Sequence, residues 1–282
     1  MRNTVLSLFL SAGVALAVVL GTRPEVVPPS AAQQETVYDR VLKAGTLRCG
    51  YFEEVPFTIK DPNTGAMSGI AVELAESIAH DIGLKLEWAQ SVNFSTLTED
   101  LAQGRYDAIC ASVFNLSRAG RIDYTLPYAY VPVYGHARVG DSRFDSGFAS
   151  VDWSKVTVAG LDGEGATNAA LQALPQAQFA ILPQGSQIAE MLLSVADSKA
   201  DIAFVLPTVF GSFNANNPGK LVRVQSDRPL YTFAVSFGIK PGEFAFKNML
   251  DISLRQRIAS GQLGALFAKY DPSGFFFQPK LY

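Results

Sequence analysis

Strand-like and helix-like segments alternate along most of the chain, and this alternation constrains the fold more than any other feature of the sequence. Between residues 46 and 112 the succession is strand, helix, strand, helix, strand, in the segments "TLRCGY", "GIAVELAESIAHDIGL", "LKLEWA", "TLTEDLAQG" and "YDAICAS". In the first helical segment apolar residues recur at helical spacing from Ile70 to Ile82, and Gly83 is suited to end the helix. This order predicts an α/β fold in which mostly parallel strands are flanked by helices.

A second α/β unit follows the first. Its segments are "KVTVAGL", "EGATNAALQAL", "AQFAIL", "SQIAEMLLSVADSK" and "ADIAFVL", again strand and helix in turn. The tail adds a strand, "YTFAVSFGIKPG", and one or two helices broken near Gly261. Because so short a tail cannot build its own core, we expect it to pack on one of the two units. The chain then crosses between the units twice, near residues 128–134 and near 229–233.

Two local signals refine the first unit. The cluster "DPNTGAMSG" is typical of a turn that joins a hairpin. Thr96 and Glu99 have the spacing of a capping box, which predicts a short helix that ends at Gly104.

Composition and charge exclude several classes of function. The chain has 282 residues, of which 48% are apolar and 17% charged, with a formal net charge of −3 and no lysine or arginine run. Nucleic-acid binding needs a concentrated basic face, so we predict no nucleic-acid partner. His80 and His136 are isolated, and no Ser-His-Asp set, His-Glu-x-x-His motif or phosphate loop is present. The sequence therefore predicts no metal and no cofactor.

The N-terminus has the layout of an export signal. Arg2 precedes the uncharged apolar segment "VLSLFLSAGVALAVVLG", and a Pro-rich polar tether follows. The small residues Ser30, Ala31 and Ala32 lie well beyond the apolar core, so an uncleaved membrane anchor is the alternative to a removed signal peptide. We assign residues 1–37 to this signal or anchor plus tether. Either version predicts a periplasmic or other extracytoplasmic location.

The two cysteines, Cys49 and Cys110, both lie near the ends of predicted strands. They are compatible with a disulfide in an oxidising compartment and equally with two small buried apolar residues. Both interpretations stay open at this point.

Several blocks resemble, in order, one known family. They are "AGTLRCGY", "VPFTIKDPNTGAMSGIAVELAESIAHDIGL", "FSTLTEDLAQGRYDAI", "SRAGRIDYTLPY", "KADIAFV", "FGIKPG" and "LRQRIASGQLGALFAKY". Together they cover nearly all of residues 38–271 and resemble the extracytoplasmic solute-binding proteins of amino-acid ABC transporters, family 3, with the type II periplasmic-binding fold. The resemblance implies a two-lobed clamshell with two hinge strands. Lobe 1 is then residues 38–131 and 235–282, and lobe 2 is residues 132–234.

The resemblance also implies a function. A monomer of this kind binds a small carboxylate or amino-acid-like ligand in the interlobe cleft, closes around it, and presents it to the membrane permease of an ABC transporter. Two alternatives stay open: a dehydratase-like enzyme on the same fold, and a membrane-tethered sensor or accessory module.

In lobe 1 the resemblance points to an arginine that binds the ligand carboxylate. The family's arginine lies four residues before a segment that here begins at Ile122, which identifies Arg118. A planar guanidinium can hold a carboxylate through two parallel charge-assisted hydrogen bonds. Arg121 is interpreted as a solvated surface charge.

Four further residues of lobe 1 are implied as ligand contacts. They are Ser112, which offers a backbone group to the carboxylate, Phe94, which stacks on the ligand, Tyr51 at the end of the first strand, and Glu54 in the loop after it. Glu53 or Glu54 could receive a cationic group of the ligand.

Lobe 2 departs most from the family. Its anion-binding turn corresponds to residues 160–167, "GLDGEGAT", where Gly165 and Thr167 at a helix start suit an anion. Asp162 and Glu164 in the same loop oppose an anion unless they serve as helix-start charges, and either could instead hold an amine. The family's ammonium-binding aspartate is replaced by Leu206. A standard amino-acid ligand is thereby less expected than a carboxylate without an α-ammonium, or one whose amine binds elsewhere.

Overall fold

The protein has an α/β fold in which helices flank one long sheet. The computed structural model describes residues 35–93, 96–113, 118–183 and 185–279, with the backbone alone at Ser112 and Val113. The strands are β1 Thr46–Tyr51, β2 Ile59–Lys60, β3 Met67–Ser68, β4 Lys85–Ser91, β5 Ala108–Val113, β6 Asp123–Tyr124, β7 Ala129–Arg138, β8 Thr157–Leu161, β9 Gln178–Leu182, β10 Ile202–Val205, β11 Leu221–Arg223 and β12 Tyr231–Ile239. The helices are α1 Val37–Ala44, α2 Ile70–Asp81, α3 Leu97–Ala102, α4 Gly165–Ala173, α5 Ile188–Ala196, α6 Pro207–Asn216, α7 Phe244–Ala259 and α8 Gln262–Tyr270.

The sheet consists of two parallel halves joined by two antiparallel strands. Its strand order is β4-β1-β5-β12-β7-β10-β8-β9, with β6 on β12 and β11 on β7, while β2 and β3 form a separate hairpin. β1 is parallel to β4 and β5, and β8 is parallel to β9 and β10. β12 and β7 run antiparallel to each other and to the strands beside them. The two-lobed α/β fold expected from the sequence is confirmed.

Each joining strand extends from one lobe into the other. β7 and β12 pair with each other from Ala129 opposite Val235 to Val133 opposite Tyr231. β12 then continues beside β5, and β7 continues beside β10. The lobe boundaries at 131/132 and 234/235 fall inside these continuous strands and stay a prediction.

Separate apolar clusters fill the two lobes. In lobe 1, α2, α7 and α8 pack on one face of the sheet, and the buried positions of α2 follow the helical spacing seen in the sequence. A smaller cluster under α3 covers the other face. In lobe 2, two clusters lie on the two sides of β8 and β10. Leu206 and Phe233 contact clusters of both lobes.

Both lobes have the same arrangement at the start of a central strand: an aspartate that makes two reciprocal hydrogen bonds with a residue of the neighbouring strand. In lobe 1 the backbone N–H of Asp107 donates to the Arg48 carbonyl at 2.9 Å, and the Asp107 carboxylate accepts from the Arg48 N–H at 2.8 Å. In lobe 2 Asp201 and Thr157 make the same reciprocal pair at 2.7 and 2.8 Å. Arginines neutralise both carboxylates: Arg40 and Arg48 at Asp107, and Arg138 and Arg143 at Asp201.

Three details differ from the sequence predictions. The predicted capping box is wrong, because the Thr96 hydroxyl donates to Asp100 at 2.8 Å and Glu99 accepts from Gln103 at 2.6 Å. Helices α1 and α6 were not predicted. The tail, in contrast, has the expected helix pair, since Gly261 with φ +78° separates α7 from α8.

The described residues contain no transmembrane candidate. Every helix in residues 35–93, 96–113, 118–183 and 185–279 is too short or too polar to span a bilayer. The predicted export signal lies in residues 1–34, outside the described part of the chain.

Candidate functional site

The carboxyl ends of strands from both lobes meet at the junction between the lobes. β12 runs from lobe 2 into lobe 1, and β5 is antiparallel to its second half, so β5 points back toward the junction, where Val113 lies opposite Val235. β7 runs the other way, and β10 is antiparallel to its second half, so β10 also ends at the junction, with Val205 opposite Tyr134. Because β1 is parallel to β5 and β8 to β10, four strand ends converge here. Open α/β sheets bind ligands at such ends.

Arg118 and Arg121 occupy different environments in lobe 1. Arg118 is partly buried and begins a turn in which its carbonyl accepts from the Arg121 and Ile122 N–H groups at 3.0 and 3.1 Å. Arg121 is exposed. The turn leads into β6, in which Asp123 and Tyr124 pair with Ile239 and Gly238 of β12.

Tyr51 ends β1 and is buried. Its ring packs edge-on against Trp88, with 6.0 Å between ring centroids, and its hydroxyl accepts a hydrogen bond from the Lys60 ammonium at 3.2 Å. Lys60 was not identified from the sequence, because only the hairpin of β2 and β3 brings it over Tyr51. The Tyr51 hydroxyl therefore already has a partner within lobe 1.

A disulfide joins Cys49 and Cys110. The two residues lie on the adjacent parallel strands β1 and β5, with 5.6 Å between their Cα atoms, and both are buried. The buried Tyr128 hydroxyl donates to the Cys110 carbonyl at 2.9 Å. The disulfide links β1, which ends at Tyr51, to β5, which contains Ser112, and the hydrogen bond links β5 to Tyr128.

Glu54 is held in a tight turn after β1. Its carbonyl accepts from the N–H groups of Phe57 and Thr58, and its own N–H donates to the Thr58 carbonyl, all at 2.8 Å. The residue is exposed to solvent, yet burial among protein atoms raises the pKa of its carboxyl. Glu54 also lies close enough to raise the pKa of Tyr128.

In lobe 2 the start of α4 is occupied by the chain's own carboxylate. Glu164 is the N-cap, and its side chain accepts from the N–H groups of Ala166 at 2.9 Å and Thr167 at 2.6 Å. The buried Thr167 hydroxyl accepts from the Leu161 N–H at 3.0 Å. The N–H groups and hydroxyl expected to bind a ligand anion thus have internal partners, and Glu164 serves as the helix-start charge.

The neighbours of Glu164 remain open to solvent. Asp162 and Gly165 are both exposed. A Cβ atom on Gly165 would lie 3.1 Å from Cζ of Phe233, so the start of α4 comes close to β12 where that strand joins the lobes.

Leu206 is an apolar contact between the lobes. It follows β10 directly, is the N-cap residue of α6, and is partly buried against apolar clusters of both lobes. The structure therefore supplies a packing reason for leucine where the family resemblance implies an aspartate. Phe233, which the sequence did not single out, shares this position between the clusters.

Of the predicted ligand contacts, the structure leaves Phe94 undescribed and describes Ser112 only by its backbone. Phe94 lies outside the described residues, and Ser112 is described by its backbone, which pairs with Ser236 of β12. In the described ranges no group of three or more His, Cys, Asp or Glu residues could hold a metal ion.

Comparisons with known proteins agree with this geometry. The model of the bacterial extracellular solute-binding proteins, family 3, matches residues 47–273, which include most of both lobes. The probable amino-acid-binding protein YxeM of Bacillus subtilis (strain 168) is 34% identical over 93 residues, which is 33% of this chain and 33% of that protein. The chain thus aligns with only about a third of that relative's length.

Solved structures with the same fold cover most of the chain. The ancestral amino acid-binding protein AncCDT-1, a precursor of cyclohexadienyl dehydratase, is 23% identical with a TM-score of 0.62, over 83% of this chain and 99% of its own. A putative ABC-transporter binding component from Wolinella succinogenes, complexed with lysine, is 25% identical with a TM-score of 0.61, over 80% and 95%. The periplasmic VFT2 domain of Bordetella pertussis BvgS is 19% identical with a TM-score of 0.65, over 83% and 97%.

Proposed function

The chain belongs to the bacterial extracellular solute-binding proteins, family 3, and we propose that it captures a small carboxylate or amino-acid-like ligand for an ABC transporter. The observation that carries the proposal is the convergence of strand ends from both lobes at a junction that β7 and β12 cross. Such a junction can open and close about its joining strands, so that a ligand held between the lobes selects the closed form. The closed form is the one presented to the membrane permease.

Arg118 is the proposed carboxylate receptor. Its partial burial supports this role, because a guanidinium in a partly dehydrated position binds a carboxylate more strongly than one in open water. Ser112, Phe94, Tyr51 and Glu54 complete the proposed lobe 1 side.

On the lobe 2 side we propose Asp162 and Gly165 as contacts, because both are exposed at the start of α4. The sequence also suggested Thr167 as a contact, but the hydrogen bonds do not support this role, since its N–H donates to Glu164 and its hydroxyl accepts from Leu161.

We further propose that the protein binds its ligand without turning it over, acts as a monomer, and is extracytoplasmic, with or without an N-terminal anchor. Support comes from the family, whose members are extracellular binding proteins, and from the named relative YxeM, a probable binding protein. Recovery of the ligand unchanged after long incubation, measured by mass spectrometry, is the expected result. Conversion of the ligand to a dehydrated product would overturn this part of the proposal.

A thermal-shift screen of amino acids, organic acids and amines tests the function. A ligand at about 100 times its Kd stabilises the fold by about 2.7 kcal/mol, which is readily detected. We expect Arg118→Ala to abolish the shift of the best ligand, and Arg121→Ala, the matched control, to retain it. Loss of the shift in Arg121→Ala alone, or the absence of any shift with carboxylates, would contradict the proposal.

A further inference from the structure

We propose that the C-terminal segment, residues 271–279, is part of the hinge: it holds the start of β7 to lobe 1, so that bending between the lobes is confined to residues 131–133. The segment then limits the relative orientations that the lobes can adopt before closure. The inference rests on the proposed function, which requires the lobes to move relative to each other. It adds to that function a segment that contains none of the proposed ligand contacts.

One residue of the segment pairs with a joining strand. The Tyr130 N–H donates to the Phe277 carbonyl at 2.7 Å, and the Phe277 N–H donates to the Tyr130 carbonyl at 2.9 Å. Tyr130 also lies opposite Ala234 of β12, so Phe277 occupies the other edge of β7, which β10 occupies further along the strand. The segment therefore adds a single antiparallel bridge at the lobe 1 end of β7.

On this edge β7 has a gap between its two partners. Phe277 pairs with Tyr130, and the pairing of β10 reaches Tyr134. Among the residues that the structure describes, none pairs on this edge with residues 131–133. Because residues two apart on a strand direct their backbone groups to the same edge, Pro132, which has no N–H, faces the gap. The gap is thus the stretch where β7 can bend without breaking a pairing on this edge.

The rest of the segment is anchored in lobe 1. The buried Asp271 carboxylate accepts from the N–H groups of Phe275 at 3.0 Å and Phe276 at 2.8 Å. The Phe276 ring is buried in the lobe 1 apolar cluster, where it packs edge-on against Phe57 with 5.3 Å between ring centroids. Movement of β7 away from lobe 1 at Tyr130 therefore has to break the bridge or displace this anchored segment.

The bridge shortens the stretch of β7 that lacks a partner on this edge. Without Phe277, that stretch would run from residue 129, the first of β7, to residue 133, the last before β10 pairs. Each freed residue regains backbone conformations that closure has to fix again, so binding without the bridge carries a larger entropic cost. Pairing with β12 on the other edge persists, and we therefore expect weaker ligand binding and not its loss.

Two substitutions of Phe277 in the full chain test the inference. Phe277→Pro removes the N–H that donates to Tyr130, whereas Phe277→Ala, the matched control, removes a ring that is 41% exposed and keeps both backbone bonds. In hydrogen exchange measured by NMR without any ligand, we expect the Tyr130 amide to exchange about fivefold faster in Phe277→Pro than in the wild type, and at the wild-type rate in Phe277→Ala. The carboxylate with the largest shift in the thermal-shift screen is the probe for calorimetry, and its affinity should fall about threefold in Phe277→Pro alone.

An unchanged exchange rate of Tyr130 in a folded Phe277→Pro variant would overturn the inference. Equal loss of affinity in both variants would also overturn it, because the effect would then belong to the ring. If Phe277→Pro does not fold, the wild type decides: the Phe277 and Tyr130 amides should both be protected, and a Phe277 amide that exchanges as fast as in an unstructured chain would contradict the bridge. If no carboxylate binds, the proposed function fails, and the exchange rates alone support or overturn the role of the segment.

Discussion

Lobe 1 and lobe 2 share one scaffold and differ where their strand ends face each other. Both start a central strand with an aspartate that bonds reciprocally to the neighbouring strand and is neutralised by two arginines, at Asp107 and at Asp201. On the lobe 1 side we propose the partly buried Arg118, together with Glu54, as ligand contacts. Lobe 2 presents Leu206 and a helix start whose N–H groups are bound by Glu164. The hydrogen bonds and ion pairs that hold each sheet together are repeated, whereas the residues after the strand ends differ between the lobes.

The disulfide lies in lobe 1, and its removal tests how much this bond contributes to the stability of that lobe. Cys49 and Cys110 are 61 residues apart in sequence, and closing a loop of this length restricts the unfolded chain by about 4 kcal/mol. We expect the double substitution Cys49→Ala/Cys110→Ala to lower the free energy of unfolding by about this amount in urea titrations. Reductant should lower the stability of the wild type and leave the double variant unchanged. A loss below about 1 kcal/mol would show that lobe 1 does not depend on the bond.

Asp107 and Asp201 make the same hydrogen bonds and ion pairs in the two lobes, so substituting each of them compares how much this arrangement stabilises each lobe. The Asp107 side chain is 1% exposed and that of Asp201 is 21% exposed. Removing one member of a buried ion pair leaves an uncompensated charge, so we expect Asp107→Asn to cost about 3 kcal/mol and Asp201→Asn about 1 kcal/mol. Thermal unfolding of both variants measures the difference. Equal losses would mean that burial does not distinguish the two sites.

A buried histidine makes the stability of lobe 2 depend on pH. Burial, and to a lesser extent repulsion by Arg223, lower the pKa of His136 to about 3 against the opposing effect of a hydrogen bond with the Tyr134 backbone. The ring stacks on Phe210 of α6, with 4.0 Å between centroids. Because the folded state excludes the proton that the unfolded chain binds below its pKa of about 6.5, stability is present above that pH and is lost as the pH falls toward 3.

We therefore expect His136 to remove about 2 kcal/mol of stability between pH 6.5 and pH 4.5. The variant His136→Phe, which retains the stacking and cannot be protonated, is the control, and the difference between the two pH profiles isolates the histidine from the carboxylates. Parallel profiles would rule out this origin of acid sensitivity.

Substitutions of Glu164 and of Glu54 should have different effects, the first on stability and the second on ligand affinity. Glu164→Ala removes the cap of α4 and should cost about 1 kcal/mol, with Glu164→Ser retaining most of the cap. Neither change should alter the affinity for the ligand, whereas Glu54→Gln, at a proposed ligand contact, should change that affinity without lowering stability. Loss of ligand affinity in Glu164→Ala would place charge recognition in lobe 2.

Most of the fold could be predicted from the sequence because local patterns agree with tertiary packing. The apolar spacing of α2 predicted both the helix and its buried face, and Gly261 predicted the break between α7 and α8. The helix α6 was missed because it begins at a proline and contains Gly211, so its residues give little helical signal before lobe 2 packs against them. Thr96 and Glu99 matched a capping pattern, yet each found a different partner.

The site was less predictable, because it depends on contacts between residues distant in sequence. The sequence allowed Glu164 to be either a helix-start charge or an amine receptor, and only the hydrogen bonds to α4 distinguish the two. From the sequence, Leu206 was identified only as the replacement of the family's ammonium-binding aspartate. The structure adds that it packs against apolar clusters of both lobes. Nothing in the local sequence indicates that the loop of Glu54 lies beside Tyr128.

The crystal structure of the protein with its best ligand tests the proposed site most directly. The account predicts the ligand carboxylate within hydrogen-bond distance of Arg118, with Glu164 still bound to the N–H groups of Ala166 and Thr167. A ligand carboxylate at the start of α4 in place of the Glu164 side chain would contradict it.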